Sequence, residues 1–432
     1  MPNRARSGLA RRRPGLRTVA VFVAIAALGA AIAAGLGTAS ATKSVTNYIA
    51  YVGGKVGKAD PKLKPIYVGY VNQEGGPVVI GKTADNGVDA AAAFVNTLAS
   101  GIGGHRLVFI QCFIASTEEE GQKCGQKFRN DKRIVAVVTG AVAVGSESLY
   151  AAIGKTKPVI VGVAVNPVDS VQPNATILYG DARFILAPYA TFARDTLKTK
   201  SAALVFPEGA GQEAAAAGQT TAFQAAGISI KKVSYPITTA DLTVPLIAAG
   251  ALKADLVMPV ILPFECGKFE KAVRALNIPD GKVLASPVCL SPTTIAELGD
   301  FPQWIYAIAS SLTFDTTDPA VPPYQKIMKL MGQGKYIGDP WANVGFGEIT
   351  TLAKWLNALG PNNITTAGIL KQAKLFKGPM VLGSPAIQCG KYPKSPAVCN
   401  DYTQFYRYNG KGVFKKAGDW VPPPKGWVPP FS

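Results

Sequence analysis

Residues 65–80 read PIYVGYVNQEGGPVVI. Ile66, Val68 and Val71, with Tyr67 and Tyr70 among them, form a short β-branched and aromatic run, as in a strand buried on both faces of a parallel sheet. Polar Asn72, Gln73 and Glu74 follow, then the paired glycines Gly75 and Gly76, and apolar residues at helical spacing run from about Thr83 to Leu98. In open α/β sheets ligands sit just beyond the carboxyl ends of such strands. The loop is therefore expected to wall a ligand cleft, its glycines bending the backbone closely around the occupant. A solvated strand-to-helix turn is the plain alternative.

Outward from this stretch the chain alternates short β-branched runs with helical ones, the signature of doubly wound parallel sheets. Strands are expected at Ile66–Val71, Arg106–Gln111, Ile134–Thr139, Pro158–Val163, Ala202–Phe206, Ser229–Tyr235, Ala254–Val260 and Lys282–Ala285. The helix opening at Thr117 has Glu120 three residues on, a capping box. Another runs from about Gly211 to Ala226 and is closed by Gly227. These strands are too many for one ordinary sheet, and the rhythm restarts within Tyr189–Ser310, so two similar α/β lobes are expected. Beyond Phe314–Pro319, a crossover, helices near Pro322–Met331, Trp341–Leu359 and Thr366–Phe376 follow without strands between them. They are expected to pack back on the first lobe before a final pass through Gly378–Ser384 into the second. The domain reading is an N-terminal extension at 42–64, a first lobe from 65–184 and 315–380, a second from 185–314 and 381–418, and a proline-rich surface tail at 419–432.

A chain of 432 residues that is 48% hydrophobic and 17% charged can bury a large core. The net charge of +18 suggests nucleic acid until the first 41 residues are set apart: they carry six arginines and no acid, leaving +12 spread over scattered lysines. No aromatic-basic platform for single strands accompanies them, so no nucleic-acid partner is expected. Residues 1–41 read as an export signal: Arg4, Arg6, Arg11, Arg12, Arg13 and Arg17, an uncharged run from Thr18 to Leu36, then Ala39-Ser40-Ala41. Cleavage near Ala41 would place the mature chain outside the cytoplasm, whether secreted, periplasmic or at the cell surface. An uncleaved membrane anchor is the competing reading.

Six cysteines in an exported chain point to disulfides. Fifteen pairings exist, and spacing favours neighbours: Cys112 with Cys124, Cys266 with Cys289, Cys389 with Cys399. A zinc site is the weaker rival, since no Cys-x-x-Cys occurs and the sole histidine is His105. Neither a metal nor another cofactor is implied.

The order of the NQEGGP loop, the turn NTLASGIGGHR at Asn96–Arg106, the strand ending in Cys112, the glutamate-rich turn to Cys124 and IVAVVTG at Ile134–Gly140 resembles the extracytoplasmic solute-binding proteins of ABC importers. Within them it is similar to the Leu/Ile/Val-binding, type I periplasmic group in a cysteine-rich actinobacterial form. The likeness covers about Pro65 to Phe414. It implies two Rossmann-like lobes joined by a three-strand hinge, closing on one small-molecule solute and docking, as a monomer, on ABC transporter permease subunits without catalysing a reaction.

Carried over by position, the resemblance lines the cleft with Gln73, Glu74, Gly75, Gly76, Ala141, Val142, Val165 and Asn166 from the first lobe. The second lobe would add Pro207, Glu208, Phe264 and Glu265. Glu265 matches the ammonium partner of amino-acid binders, but it also precedes a helix, where a carboxylate stabilises the dipole anyway. The hydroxyls expected around a ligand carboxylate are here Ala141, Val142, Ala143 and Val165, which leaves room for a less polar solute. Two other readings share the sequence: a surface sensor of the same fold, and, remotely, a secreted hydrolase using Glu208 and Glu265 as an acid pair. His105, at the start of a strand, is read as structural.

Overall fold

The computed structural model describes residues 44–76 and 81–430. The export signal and its cleavage point lie outside the described residues.

The opening stretch forms strand β1 (Ile66–Gln73), with all but one of its residues buried. Its alternate side chains feed two different cores: Ile66, Val68 and Tyr70 enter one, Val71 the other. Around it stand β2 (Leu107–Ile114), β3 (Ile134–Thr139), β4 (Val159–Ala164) and β5 (Ala175–Asp181) in the order β2-β1-β3-β4-β5, all parallel. Helices α1 (Ala84–Leu98), α2 (Glu118–Asn130) and α3 (Ser146–Ile153) cross between them. At the start of α2, Thr117 accepts from the Glu120 amide while the Glu120 carboxylate accepts from the Thr117 amide, the expected capping box.

The second sheet begins with β6 (Ser201–Pro207), α4 (Ala210–Ala225), β7 (Ser229–Tyr235) and β8 (Leu256–Pro259), paired β7-β6-β8 in parallel. A parallel bridge from Val257 to Val283 joins it to β9 (Leu284–Ala285), and β10 (Ile305–Ile308) continues the parallel run. Helices α5 (Cys266–Ala275) and α6 (Pro292–Leu298) lie between these strands in the chain. Val257 and Tyr306 face a core shared with α5, while Leu256, Met258 and Ile305 face the core shared with α4.

After β10 the chain returns to the first sheet as α7 (Val321–Leu330), α8 (Pro340–Leu359) and α9 (Thr366–Leu375). Helix α8 is buried along most of its length and packs against α1 so closely that a Cβ on Gly87 would stand 1.9 Å from the Ala342 carbonyl oxygen. Tyr48 and Tyr51 of the N-terminal extension are buried in this same core.

The last return differs in detail from the sequence reading. Val381, Leu382 and Ile387 still pack in the first core, and Val398 bridges to Ile177 of β5. The chain reaches the second sheet only with β11 (Thr403–Tyr408), antiparallel to β10, followed by β12 (Phe414–Val421) on the edge. Strands β5, β10, β11 and β12 are additions to the eight read from sequence. Beyond β12 the tail is not wholly superficial: the Trp427 indole is buried edge-on to Phe184, and its N–H donates to the Thr221 hydroxyl at 3.0 Å.

The bridges are Cys112–Cys124, tying β2 to α2, Cys266–Cys289, and Cys389–Cys399. His105 sits at the opening of β2, its Nδ1 2.8 Å from the Lys64 carbonyl oxygen.

Candidate functional site

The carboxyl ends of both parallel sheets face a common cavity of about 430 Å³. The first sheet supplies Ala143 and Val144 after β3, Val163, Val165 and Asn166 at the end of β4, and Tyr179 on β5. From the second come Gly209 to Gln212, leading into α4, Pro259 to Leu262 at and after the end of β8, Ser286 to Val288 after β9, and Ala307 to Ala309 at the end of β10. Ile185, Leu186 and Tyr189, on the first passage between sheets, close the back, and the first turn of α8 adds Pro340 and Trp341. Among the described residues that line it, no Asp, Glu, Lys, Arg or His is present. The wall is aliphatic and aromatic, with Asn166, Gln212, Ser286, Ser310 and Thr403 as polar side chains.

Several of these polar groups are already engaged. Asn166 donates from Nδ2 to the Ala143 carbonyl and accepts from the Val168 amide. Thr403 donates to the Ile185 carbonyl, Ser310 accepts from Asn343, and the Tyr179 hydroxyl donates to the Val381 carbonyl. The first turn of α8 is capped by Asp339, which accepts from the Trp341 and Ala342 amides and from the Thr83 hydroxyl. Burial raises the Asp339 carboxyl above its ordinary value. Helix α4 starts at Gly209 with no side-chain cap, and Gly209 and Ala210 are exposed there.

Of the residues expected to line the cleft, Val165 and Asn166 do so. Ala141 and Val142 are buried one step behind the wall that Ala143 and Val144 form. Gln73 is 1% exposed, and its Oε1 accepts from the Ala143 amide at 2.8 Å and the Val144 amide at 3.4 Å. Asn72 beside it accepts from the Ala141 amide at 3.0 Å and donates to Asp85 and the Gly81 carbonyl. Glu74 stands away from the cavity, 3.9 Å from the Lys82 ammonium; burial first, then the neighbouring Asp85 carboxyl, pushes it up to about 7. A Cβ on Gly76 would fall 2.0 Å from the Ala115 carbonyl oxygen, so this glycine serves the close approach of two loops. Gly75, at φ +84°, turns the chain into that contact.

In the second lobe the cavity takes the residues next to the expected ones. Pro207 is buried at the end of β6 and Glu208 is exposed to solvent, while Gly209 to Gln212 form the wall. Phe264 is 39% exposed and lies outside the lining. The Glu265 carboxylate is fully buried, accepting from the Leu262 amide at 3.0 Å and the Tyr235 hydroxyl at 3.1 Å, with Lys268 at 3.9 Å. Burial raises its pKa. Glu208 and Glu265 thus do not meet across the cavity.

Pro259 to Leu262 and Ser286 to Val288 are not among the expected site residues, although the first segment spans the end of the expected strand Ala254–Val260 and the second directly follows Lys282–Ala285, which is where such ligands sit. Tyr189, Ile185 and Trp341 carried no comparable signal, because only the tertiary fold brings the passage between sheets and the tip of α8 to the same space.

Two sheets, one parallel and one with a parallel run and an antiparallel edge, sharing a cleft with three chain passages between them, define a two-lobed binding protein of type I. The chain belongs to the periplasmic binding protein family, whose pattern matches residues 65–389. No curated protein sequence matches it. Among solved structures it is similar to a leucine binding protein from Thermotoga maritima, 14% identical, with a TM-score of 0.66 and coverage of 83% of this chain and 99% of that one. It is also similar to an R. palustris solute binding protein in complex with 4-hydroxybenzoate, at 15% identity and a TM-score of 0.67, covering 84% and 99%. A fatty acid ABC transporter substrate-binding protein from Thermomonospora curvata, 14% identical with a TM-score of 0.66, is matched over 88% of this chain and 98% of its own.

Proposed function

We propose that the chain binds a small solute outside the cytoplasm, between its two lobes, and hands it unaltered to the permease of an ABC importer. The observation that carries this reading is the cavity itself, walled from both sheets, so that an occupant's contacts favour the closed form over the open one. Lobe boundaries follow the three passages between sheets, near residues 182–200, 309–320 and 400–402. Val165 and Asn166, with Ala143, Val144, Gly209 to Gln212 and Pro259 to Leu262, are the contacts we assign. The fold's relatives include proteins named for an amino acid, an aromatic acid and a fatty acid, which supports solute binding and not one solute.

Exposed Glu147, opening α3, and Glu213, in the first turn of α4, flank the cavity from opposite lobes. With both replaced by labelled cysteine, a solute that raises the melting temperature should also bring the labels together and be recovered chemically intact. Isoleucine, 4-hydroxybenzoate, decanoate and decan-1-ol make the first panel. A bound solute that leaves the label distance unchanged would refute the clamp, and turnover of any panel member would refute the non-enzymatic part.

A further inference from the structure

In a sheet ordered β2-β1-β3-β4-β5 the strand order reverses between β1 and β3, and the crevice beyond their carboxyl ends is where an anionic group would ordinarily be met by free backbone amides. Here that crevice is filled from within. The Gln73 side-chain oxygen occupies the amides of Ala143 and Val144, and the Asn72 oxygen occupies that of Ala141. The Gly140 amide donates to the Val71 carbonyl and the Gly145 amide to Glu118. Across the cavity, the Glu265 carboxylate is spent on Leu262 and Tyr235. The space left open is shifted toward β4, β5 and the second lobe, and among the described residues that line it there is no Asp, Glu, Lys, Arg or His.

We infer that this protein selects an uncharged, largely apolar solute, and that Gln73 is a specificity-determining residue which stands in for a ligand carboxylate at the 141–144 turn. The inference rests on the clamp reading above and adds the ligand's charge state to it. Its physical basis is the cost of desolvating charge. A carboxylate or zwitterion entering this cavity gives up its hydration, finds no counter-charge among the described lining residues and meets Ala141, Ala143 and Val144 amides that are already taken, whereas a neutral alcohol or ketone loses far less. Gln73 itself is held for this purpose: it is buried, ends β1, and reaches two amides with one oxygen.

Two skeletons, each in three charge states, test it: decan-1-ol, decanoate and 2-aminodecanoate; 2-acetylnaphthalene, 2-naphthoate and 3-(2-naphthyl)alanine. Dissociation constants at pH 7.5, measured by calorimetry on the mature chain, should place the neutral member of the binding series at least about tenfold below its charged relatives. In Gln73→Ala, which frees two amides, the gap between decan-1-ol and decanoate should narrow at least threefold. In Val165→Lys, which puts a cation on the wall without touching the turn, the order should invert. A charged member that binds as tightly as its neutral counterpart overturns the inference, as does binding of isoleucine in place of all six compounds. A Val165→Lys variant that folds yet keeps the wild-type order overturns it too. If decan-1-ol binds tightly while the labels at positions 147 and 213 do not move, the clamp reading fails and the charge preference stands; the reverse order of affinities with normal closure does the opposite.

Discussion

Side chains that end a strand here serve their own loops before they can serve a ligand. Gln73 and Asn72 tie the end of β1 to the turn after β3, and Glu265 ties the turn after β8 to Tyr235 on β7. From sequence, each has the residue type and the position of a ligand contact. What separates the two roles is whether an internal partner lies within hydrogen-bond distance, and that depends on neighbouring strands far away in the chain. For Glu265 the consequence is direct: Glu265→Ala should leave the Leu262 amide and the Tyr235 hydroxyl buried without partners, costing about 3 kcal/mol of stability in urea unfolding. Decan-1-ol affinity should be unchanged within about twofold. A loss of affinity with stability intact would return Glu265 to the binding site.

Elements were legible where their own residues carry the signal. Strand β1 has β-branched and aromatic residues, the helix at Thr117 has its capping box, and α4 is followed by Gly227 at φ +75°. Edge strand β12, FKKAGDWV, gave no such signal, because an edge strand with charged residues pairs through its backbone and needs little apolar alternation. Strand β5, though fully buried, is absent from the expected strands. Packing between elements lies further from the sequence. Gly87 lies within α1 because the α8 backbone passes over it, where a Cβ would meet the Ala342 carbonyl oxygen at 1.9 Å. Alanine is the better helix former by up to about 1 kcal/mol, yet Gly87→Ala should destabilise the protein by about 2 kcal/mol, read from the urea midpoint. A more stable variant would mean that α1 and α8 can separate freely.

At the scale of the molecule, the region where β4 and β5 lead toward the second sheet contains a buried ionic cluster. Arg183 pairs with Asp181 at 2.7 Å and bonds Ser170, and Asp169 is buried beside them. Burial pushes Asp169 up to about 7. The native chain therefore keeps a proton that the unfolded chain releases near pH 4, so this group's contribution to stability falls as pH rises from about 4 to about 7 and is fully lost above that. Asp169→Asn should remove the loss: relative to wild type it should gain stability progressively from pH 4.5 to pH 8, by at most about 4 kcal/mol. Equal pH profiles for the two proteins would show that Asp169 ionises in the folded state as it does in the unfolded one.

By itself the sequence determined the two-lobed α/β class, the strand-to-loop positions at which a cleft must open, and the near absence of hydroxyls where an acidic ligand would bind, because these follow from local composition and periodicity. The tertiary structure decided which of those loop residues face the cavity. A strand end offers a short run of adjacent side chains, and hydrogen bonds made across the sheet or between loops assign some of them, such as Gln73 and Glu265, to internal partners and leave others, such as Val165, on the wall. It also decided that Trp341 and Tyr189 share that wall, since their elements are distant in sequence and meet only when the chain has passed between the sheets.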